Sequence, residues 1–227
     1  MIKILDNILL SENVKENFYL NYNNVEFYKW LNGFLPEVEK CRNLKQDNPW
    51  HIYNCLDHIL VSVEEINKQT KDLKEDERRM LAYTMFFHDI GKPDCCLRRY
   101  SKLYGREVDS FFNHNKASVK IANNALEHLN FSKQDKNKIL CLIDFHDVFM
   151  FITLKNNNNP HHHLLTEEYV MNLINDLNSF GDGKELIEYL LMVGRADNKA
   201  QNPEMTKESL SKIDIIKEMV ETINSKE

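Results

Sequence analysis

The sequence predicts an all-α fold, a compact helical bundle with a short N-terminal helical extension, on three observations. Its 227 residues include only 6 glycines and 5 prolines, too few for the many turns of an all-β fold. Lys, Glu, Leu, Asn and Ile dominate, a composition that favours helices. Apolar residues recur at spacings of three and four in one segment after another, the period of a helix with one buried face. With 42% apolar residues a substantial core can be filled, so a single domain over 1–227 is expected. It would comprise a brace at 1–47, a core at 48–205 and a closing helix at 206–227.

The first 47 residues read as two or three short helices. Ile4, Leu5, Ile8 and Leu9 form one apolar stripe, and Val25, Phe27, Trp30 and Leu31 another. Asn32-Gly33 interrupts the second, and Phe34-Leu35-Pro36-Glu37-Val38 restarts the chain. So small a segment is expected to brace the main domain, with a docking arm as the alternative. Asn48-Pro49 has the residue types of a helix start, an Asn cap with Pro at the first helical position. The predicted helix runs to about Asn67 and buries Ile52, Leu56, Ile59, Val63 and Ile66. His51 and His58 would stack on its edge, within about 20° of each other at about 100° per residue. Lys71 to Arg79 reads as a charged loop and first helical turn. The helix through Leu81, Thr84 and Met85 then carries His88-Asp89 to its buried end, where Gly91 and Pro93 stop it.

Residues 94–113 read as a long polar loop whose Arg98, Arg99, Lys102 and Arg106 could receive an anionic substrate or simply be solvated. Phe111-Phe112-Asn113-His114 opens a helix with apolar Ala117, Val119, Ile121, Ala122, Ala125 and Leu126, and leaves His128 exposed near its far end. The next helix, about Lys133 to Met150, offers Ile139, Leu142, Ile143 and Val148 to the core and has His146-Asp147 in its second half. Asn156 to His163, rich in asparagine and histidine, reads as a solvent loop. Amphipathic helices at 166–179 and 184–200 flank Gly181-Asp182-Gly183. The second runs through Leu190-Leu191-Met192-Val193 into Asp197, an acid that is costly to bury without a partner or a metal. Arg195, two residues before it, points elsewhere on a helix. Lys207 to Ile223 closes the chain, packing through Leu210, Ile213, Ile216 and Met219.

The net charge of -6 runs against the strongly basic balance of a bulk nucleic-acid binder, but a small phosphorylated substrate needs only a few cations. The 5 cysteines are an odd count without CxxC spacing, and Cys95-Cys96 are poorly placed to pair with each other. A reduced, intracellular protein is therefore expected. Met1 to Asp6 carries an acid inside a short apolar run without a small-residue cleavage site, and no apolar run reaches transmembrane length. A soluble cytoplasmic protein with no membrane partner is the expectation.

His58, His88-Asp89, His114, His146 and Asp197 fall on different predicted helices, each at an end or an apolar edge. Helical folds build metal sites by projecting ligands inward from such positions. Each member alone has an ordinary reading: a polar last turn for His88-Asp89, surface rings for His51 and His58, a half-buried neighbour of two phenylalanines for His114. The adjacent His-Asp and the distal Asp after an apolar run make chance a poor explanation. Imidazole and carboxylate suit one or two divalent metal ions, with Mn, Fe, Co, Ni, Mg and Zn all open.

This ordered set, H then HD then D with two further histidines, resembles the HD-domain metal-dependent phosphohydrolases. His58, His88-Asp89 and Asp197 match the core pattern; His114 and His146 match the positions added in the variants that hold two metals. The nearest likeness is to the HD region of bacterial tRNA nucleotidyltransferases. It runs through Phe34-Leu35-Pro36-Glu37, Gln46, His51, His88 to Pro93, Phe112-Asn113-His114, Ala196-Asp197 and Ala200-Gln201-Asn202-Pro203, roughly residues 34–203. Asn54 and Ile59 stand where that branch usually has Asp and Thr, which weakens the carry-over to His51. Only short helical sequence precedes the region, with no paired catalytic acids, so CCA addition is not expected.

The resemblance implies an HD-domain bundle that hydrolyses a phosphomonoester or cyclic phosphodiester by metal-activated water. The substrate would be a phosphorylated small molecule, a nucleotide or an RNA end. His58, His88, Asp89 and Asp197 would hold the first metal, and Asp89 would bridge to a second held by His114 and His146. Lys92 would neutralise phosphoryl oxygens, and His51 would contact substrate or protonate the leaving group, which makes Asp89, Lys92 and His51 the expected catalytic residues. The same pattern fits HD-fold di-iron oxygenases, which cleave C–C or C–P bonds with O₂. It also fits a non-catalytic nucleotide-binding module that keeps its ligands for stability.

Overall fold

Asparagines divide the N-terminal region more finely than its apolar stripes suggest. In the computed structural model, which describes residues 1–155 and 159–225, it forms α1 (Ile2–Leu9), α2 (Val14–Tyr22), α3 (Val25–Phe34) and α4 (Glu37–Asn43). Asn24 caps α3 by accepting from the Glu26 and Phe27 amides, so α2 and α3 are separate elements. Leu5, Leu9, Phe18, Phe27 and Leu31 face inward and share one apolar core with the later helices. Ile4 and Val25 are exposed and drop out of the stripes assigned to them. Asp6 on α1 fastens this region to the centre by accepting from Arg79 Nε at 2.9 Å and Tyr83 Oη at 2.8 Å.

The main body comprises α5 (Cys55–Gln69), α6 (Glu75–Phe87), α7 (Lys92–Cys95), the hairpin β1 (Leu97–Ser101) and β2 (Arg106–Ser110), α8 (His114–Leu126) and α9 (Lys133–Phe145). A 3-10 turn at Val148–Phe151 follows, then the short parallel pair β3 (Ile152–Thr153) and β4 (His163–Leu164). Helices α10 (Glu167–Leu177), α11 (Gly183–Lys199) and α12 (Pro203–Ser225) complete the described chain. The architecture is thus the expected mostly helical bundle. Helix α6 lies at its centre, with every residue from Met80 to Phe87 buried, and packs on α5, α9 and α11. A helix apolar on all sides suits only such a position.

Three expectations need correction. Asn48-Pro49 does not start a helix: the Asn48 side chain accepts from the Trp50 amide and contacts His51 Nδ1, while Pro49 O accepts from Asn202 Nδ2. Helix α5 begins instead at Cys55, with Asn54 as its cap accepting from the Asp57 amide. His51 therefore lies on an irregular segment rather than on one helical stripe with His58, and Ile52 is exposed. The expected loop at 94–113 is largely a hairpin, turned at Gly105 with φ of 63°. Its Arg98 and Arg106 are spent on Asp47, and Arg98 also on Asp109. The helix expected through Met150 stops at Phe145, so His146 is a terminal residue rather than a mid-helix one. Of the Asn156 to His163 stretch, positions 156–158 lie outside the described residues, and the His163 ring stacks on Tyr169.

Gly91 has an unexpected reason to be glycine. Its φ of −85° is one any residue adopts, so it is not a left-handed helix cap. A Cβ there would lie 2.5 Å from Ser118 N and 2.7 Å from Ala117 Cβ, because α8 crosses directly over the turn that follows His88-Asp89. Among the described residues no helix is long and apolar enough to cross a membrane, and all the cysteines are free. We expect Gly91→Ala to lower stability by about 1–3 kcal/mol through forced overpacking. A denaturation midpoint equal to that of wild type would remove this explanation for the residue.

Candidate metal centre

The centre is built from helix ends. Helix α6 finishes at Phe87, and His88 keeps helical backbone angles as its cap while its Nδ1–H donates to Met85 O at 2.6 Å. His146 does the same at the end of α9, donating to Ile143 O at 2.7 Å. His114 opens α8 and donates to Phe111 O at 2.7 Å, its approach set by Asn113 with φ of 61°, a left-handed value that Asn tolerates. His58, one turn into α5, donates to Ala200 O at 3.2 Å just past the end of α11. With each Nδ1 proton given to a carbonyl, every Nε2 faces the centre, the outer-shell arrangement that orients metal-bound imidazoles.

The inward atoms form two groups that share Asp89: His58, His88, Asp89 and Asp197, and Asp89, His114 and His146, all of them buried. In the first, His58 Nε2 is 3.0 Å from Asp89 Oδ2 and 3.0 Å from Asp197 Oδ1; His88 Nε2 is 3.3 Å and 3.6 Å from the same oxygens. In the second, Asp89 Oδ1 is 3.1 Å from His114 Nε2 and 3.7 Å from His146 Nε2. The paired ring nitrogens stand 3.3 Å apart in the first group and 3.2 Å apart in the second. Ligand atoms about 2.0–2.2 Å from one cation are separated by about 2.8–3.6 Å along the edges of an octahedron or tetrahedron, so these spacings fit a divalent ion. Two ring nitrogens this close cannot both place a proton between them, whereas one cation can satisfy both.

Asp89 supplies the sharpest test of fit. Both of its oxygens are buried and neither has a donor in hydrogen-bonding geometry, although the Lys92 ammonium is ion-paired to Oδ2. A carboxylate left this way is costly unless it binds a cation. The other anchors are better served. Gln201 Nε2 donates to both Asp197 oxygens at 3.1 Å, and the Cys55 and Cys41 thiols contact Asp89 O and Ile90 O at 3.6 Å.

Each residue expected at the site lies in or beside this centre. Lys92, buried, also sits 3.1 Å from His51 Nε2 and over the Phe111 ring. His51 Nδ1 is 2.8 Å from Asn48 Oδ1, an acceptor, so the proton is on Nδ1 and Nε2 accepts from Lys92. Arg195 is ion-paired with Asp214 on α12, away from the centre as expected. Sequence reasoning passed over Asp147, whose Oδ2 is 3.2 Å from His114 Nε2, and the packing roles of Cys41 and Cys55. Gln201 entered only as part of a resembling tetrapeptide; its position four residues after Asp197, one helical turn away, was the available signal.

The charges hold one another in place. Burial opposes the ionised forms of Asp89 and Asp197, but the surrounding imidazoles, with Lys92 beside Asp89, keep both carboxyls well below the usual range. Burial likewise pulls the His58 and His88 rings down, yet the Asp89 and Asp197 carboxylates overcome it and raise each to about 9. His51 is the opposite case: burial, and then the Lys92 ammonium, push it down to about 2 and keep it neutral. Neither a family model nor a curated protein matches this chain, so what the cluster can hold is read from its own geometry.

Protons and a divalent cation compete for the same Nε2 atoms. At pH 7, below the raised values of about 9, the cation-free rings of His58 and His88 carry the extra proton that a cation must displace. Binding should therefore release protons at pH 7, and apparent affinity should climb as pH rises towards 9 and then level off. Calorimetry in buffers of different ionisation heat counts those protons; a binding heat independent of buffer would contradict the competition.

Proposed function

We propose that the protein is an HD-type, metal-dependent phosphoric ester hydrolase, acting on a phosphomonoester or cyclic phosphodiester of a nucleotide, a small molecule or an RNA end. One observation carries the reading: Asp89 turns each of its two oxygens to a different pair of histidines. A shared carboxylate of this kind suits two adjacent cations, the arrangement suited to in-line displacement at phosphorus. His58, His88, Asp89 and Asp197 would hold one, and Asp89, His114 and His146 the other. When bound, such cations supply Lewis acidity, lowering the pKa of a water and offsetting charge on phosphoryl oxygens.

The chain's own groups have distinct tasks in this reading. The helix-end carbonyls lock the four imidazole tautomers, so the Nε2 atoms are aimed before a substrate arrives. Lys92 Nζ, kept protonated by Asp89 against the effect of burial, is the cation within reach of a phosphoryl oxygen. His51 is neutral with its free lone pair turned to Lys92, which suits a residue that orients the ammonium and not one that protonates a leaving group. Phe111 beneath the ammonium limits water around it.

The test is metal content together with phosphate release, using aryl phosphate mono- and diesters and nucleoside 2′,3′-cyclic phosphates against Mn, Fe, Co, Ni, Mg and Zn. His88→Ala and Asp89→Ala should lose bound metal and at least ~100-fold in activity, because a Lewis acid worth several kcal/mol goes with them. Full activity in both variants would rule the scheme out, and O₂ consumption without phosphate release would transfer it to oxygenase chemistry.

A further inference from the structure

The pair His146-Asp147 repeats the local construction of His88-Asp89. In both, a helix ends one residue before the histidine, which keeps angles of φ −54°, ψ −38° at His88 and φ −56°, ψ −32° at His146. In both, the ring donates Nδ1–H to the carbonyl three residues earlier. The following aspartate then lies beside its own histidine's Nε2, at 3.3 Å for Asp89 Oδ2 and 3.4 Å for Asp147 Oδ1. Asp147 also sets Oδ2 3.2 Å from His114 Nε2. Neither of these rings has a neutral-state proton left for that carboxylate, since His114 and His146 spend theirs on Phe111 O and Ile143 O. Among the described residues no Lys or Arg is ion-paired with Asp147, although nearby Asp144 has Lys116.

We propose that Asp147 supplies a carboxylate ligand to a divalent cation at the second position, completing the set of Asp89, His114 and His146. The inference rests on the two-cation reading above. It makes the two halves chemically alike, each with two imidazoles, one oxygen of Asp89 and one further carboxylate. The spacings are similar and the grip differs: Asp197 Oδ1 alone stands 3.0 Å and 3.6 Å from its two ring nitrogens, whereas Asp147 reaches its own through both oxygens, Oδ2 at 3.2 Å from His114 and Oδ1 at 3.4 Å from His146. The halves differ in access, the Asp197 side chain being 6% exposed and that of Asp147 21%. The second cation is therefore the exchangeable one, and an added oxygen donor favours a hard ion such as Mn²⁺ there.

Manganese binding to the full chain tests this without any turnover, by equilibrium dialysis and by electron paramagnetic resonance. Wild-type protein should take up two Mn²⁺ and show the exchange-coupled spectrum of a bridged pair. Asp147→Asn should keep the first Mn²⁺ at unchanged affinity, bind the second about 10–100-fold more weakly, and lose the coupled signal at matched loading. Asp147→Glu should recover part of both. Metal-free Asp147→Asn should keep the wild-type circular dichroism spectrum and a single cooperative unfolding transition, so a loss of the second ion is not a loss of fold. Equal affinity for the second Mn²⁺ in Asp147→Asn overturns the proposal and leaves the two-cation centre standing. A wild-type protein that binds a single Mn²⁺ overturns both. Two Mn²⁺ bound through Asp147 with no ester hydrolysed supports the proposal and ends the hydrolase reading.

Discussion

The structure is organised around the burial of one carboxylate. Asp89 is 1% exposed just past a helix whose second half, Met80 to Phe87, is buried throughout, with Lys92 and four imidazoles turned towards it. Taking such a charge out of water costs several kcal/mol even after relaxation, and only close opposite charge repays it. That requirement explains much of the architecture. Helices α5, α6, α8 and α9 each bring a histidine, α11 brings a second carboxylate, and the turn after α11 supplies the carbonyl and amide that orient His58 and Asp197. Gly91 belongs to the same constraint, since α8 must pass close over the chain just past Asp89 to place His114.

What was legible in the sequence follows from which signals are local. The buried end of α6 was readable because an unbroken apolar run delivering His-Asp has few other uses, and Asp197 was readable for the same reason. The helical bundle followed from periodicity and scarce glycine. The start of α5 was misread because Asn48-Pro49 and Asn54 carry the same cap chemistry, and only tertiary partners separate them: Pro49 O is taken by Asn202, far along the chain. The hairpin over 97–110 escaped notice because its strands are short and polar, with no alternating buried face. Asp147 was given no role because it was placed inside a helix running to Met150, and nothing in the sequence put the end of α9 at Phe145.

The two halves of the centre are not equivalent, and the difference has a physical origin. The first half is closed on every side: Asp197 receives two hydrogen bonds from Gln201, and His58 and His88 are fully buried. Its ligand atoms have little freedom, which favours tight retention of one ion. The second half stands at the rim, with His114 8% exposed and Asp147 just before a short 3-10 turn. The closed half is therefore suited to holding an ion and the more open half to exchanging its ligands with solvent.

Lys92 shows how this balance extends beyond the ligands. An ammonium inside a cluster meant for cations looks self-defeating, because it occupies Asp89 Oδ2 and adds positive charge where metals would bind. Yet its neighbours are one-sided: Asp89 raises its pKa, Phe111 offers the negative face of a ring, and His51 is kept neutral so that it accepts without repelling. Asn48 completes the device by holding the His51 proton on Nδ1, which leaves the lone pair of Nε2 for the lysine. A divalent ion on Asp89 would weaken the hold of that carboxylate on the ammonium, while the contact with His51 would remain. The lysine would then be charged, oriented and short of a counter-ion beside the centre, the condition in which an anion is worth most to it.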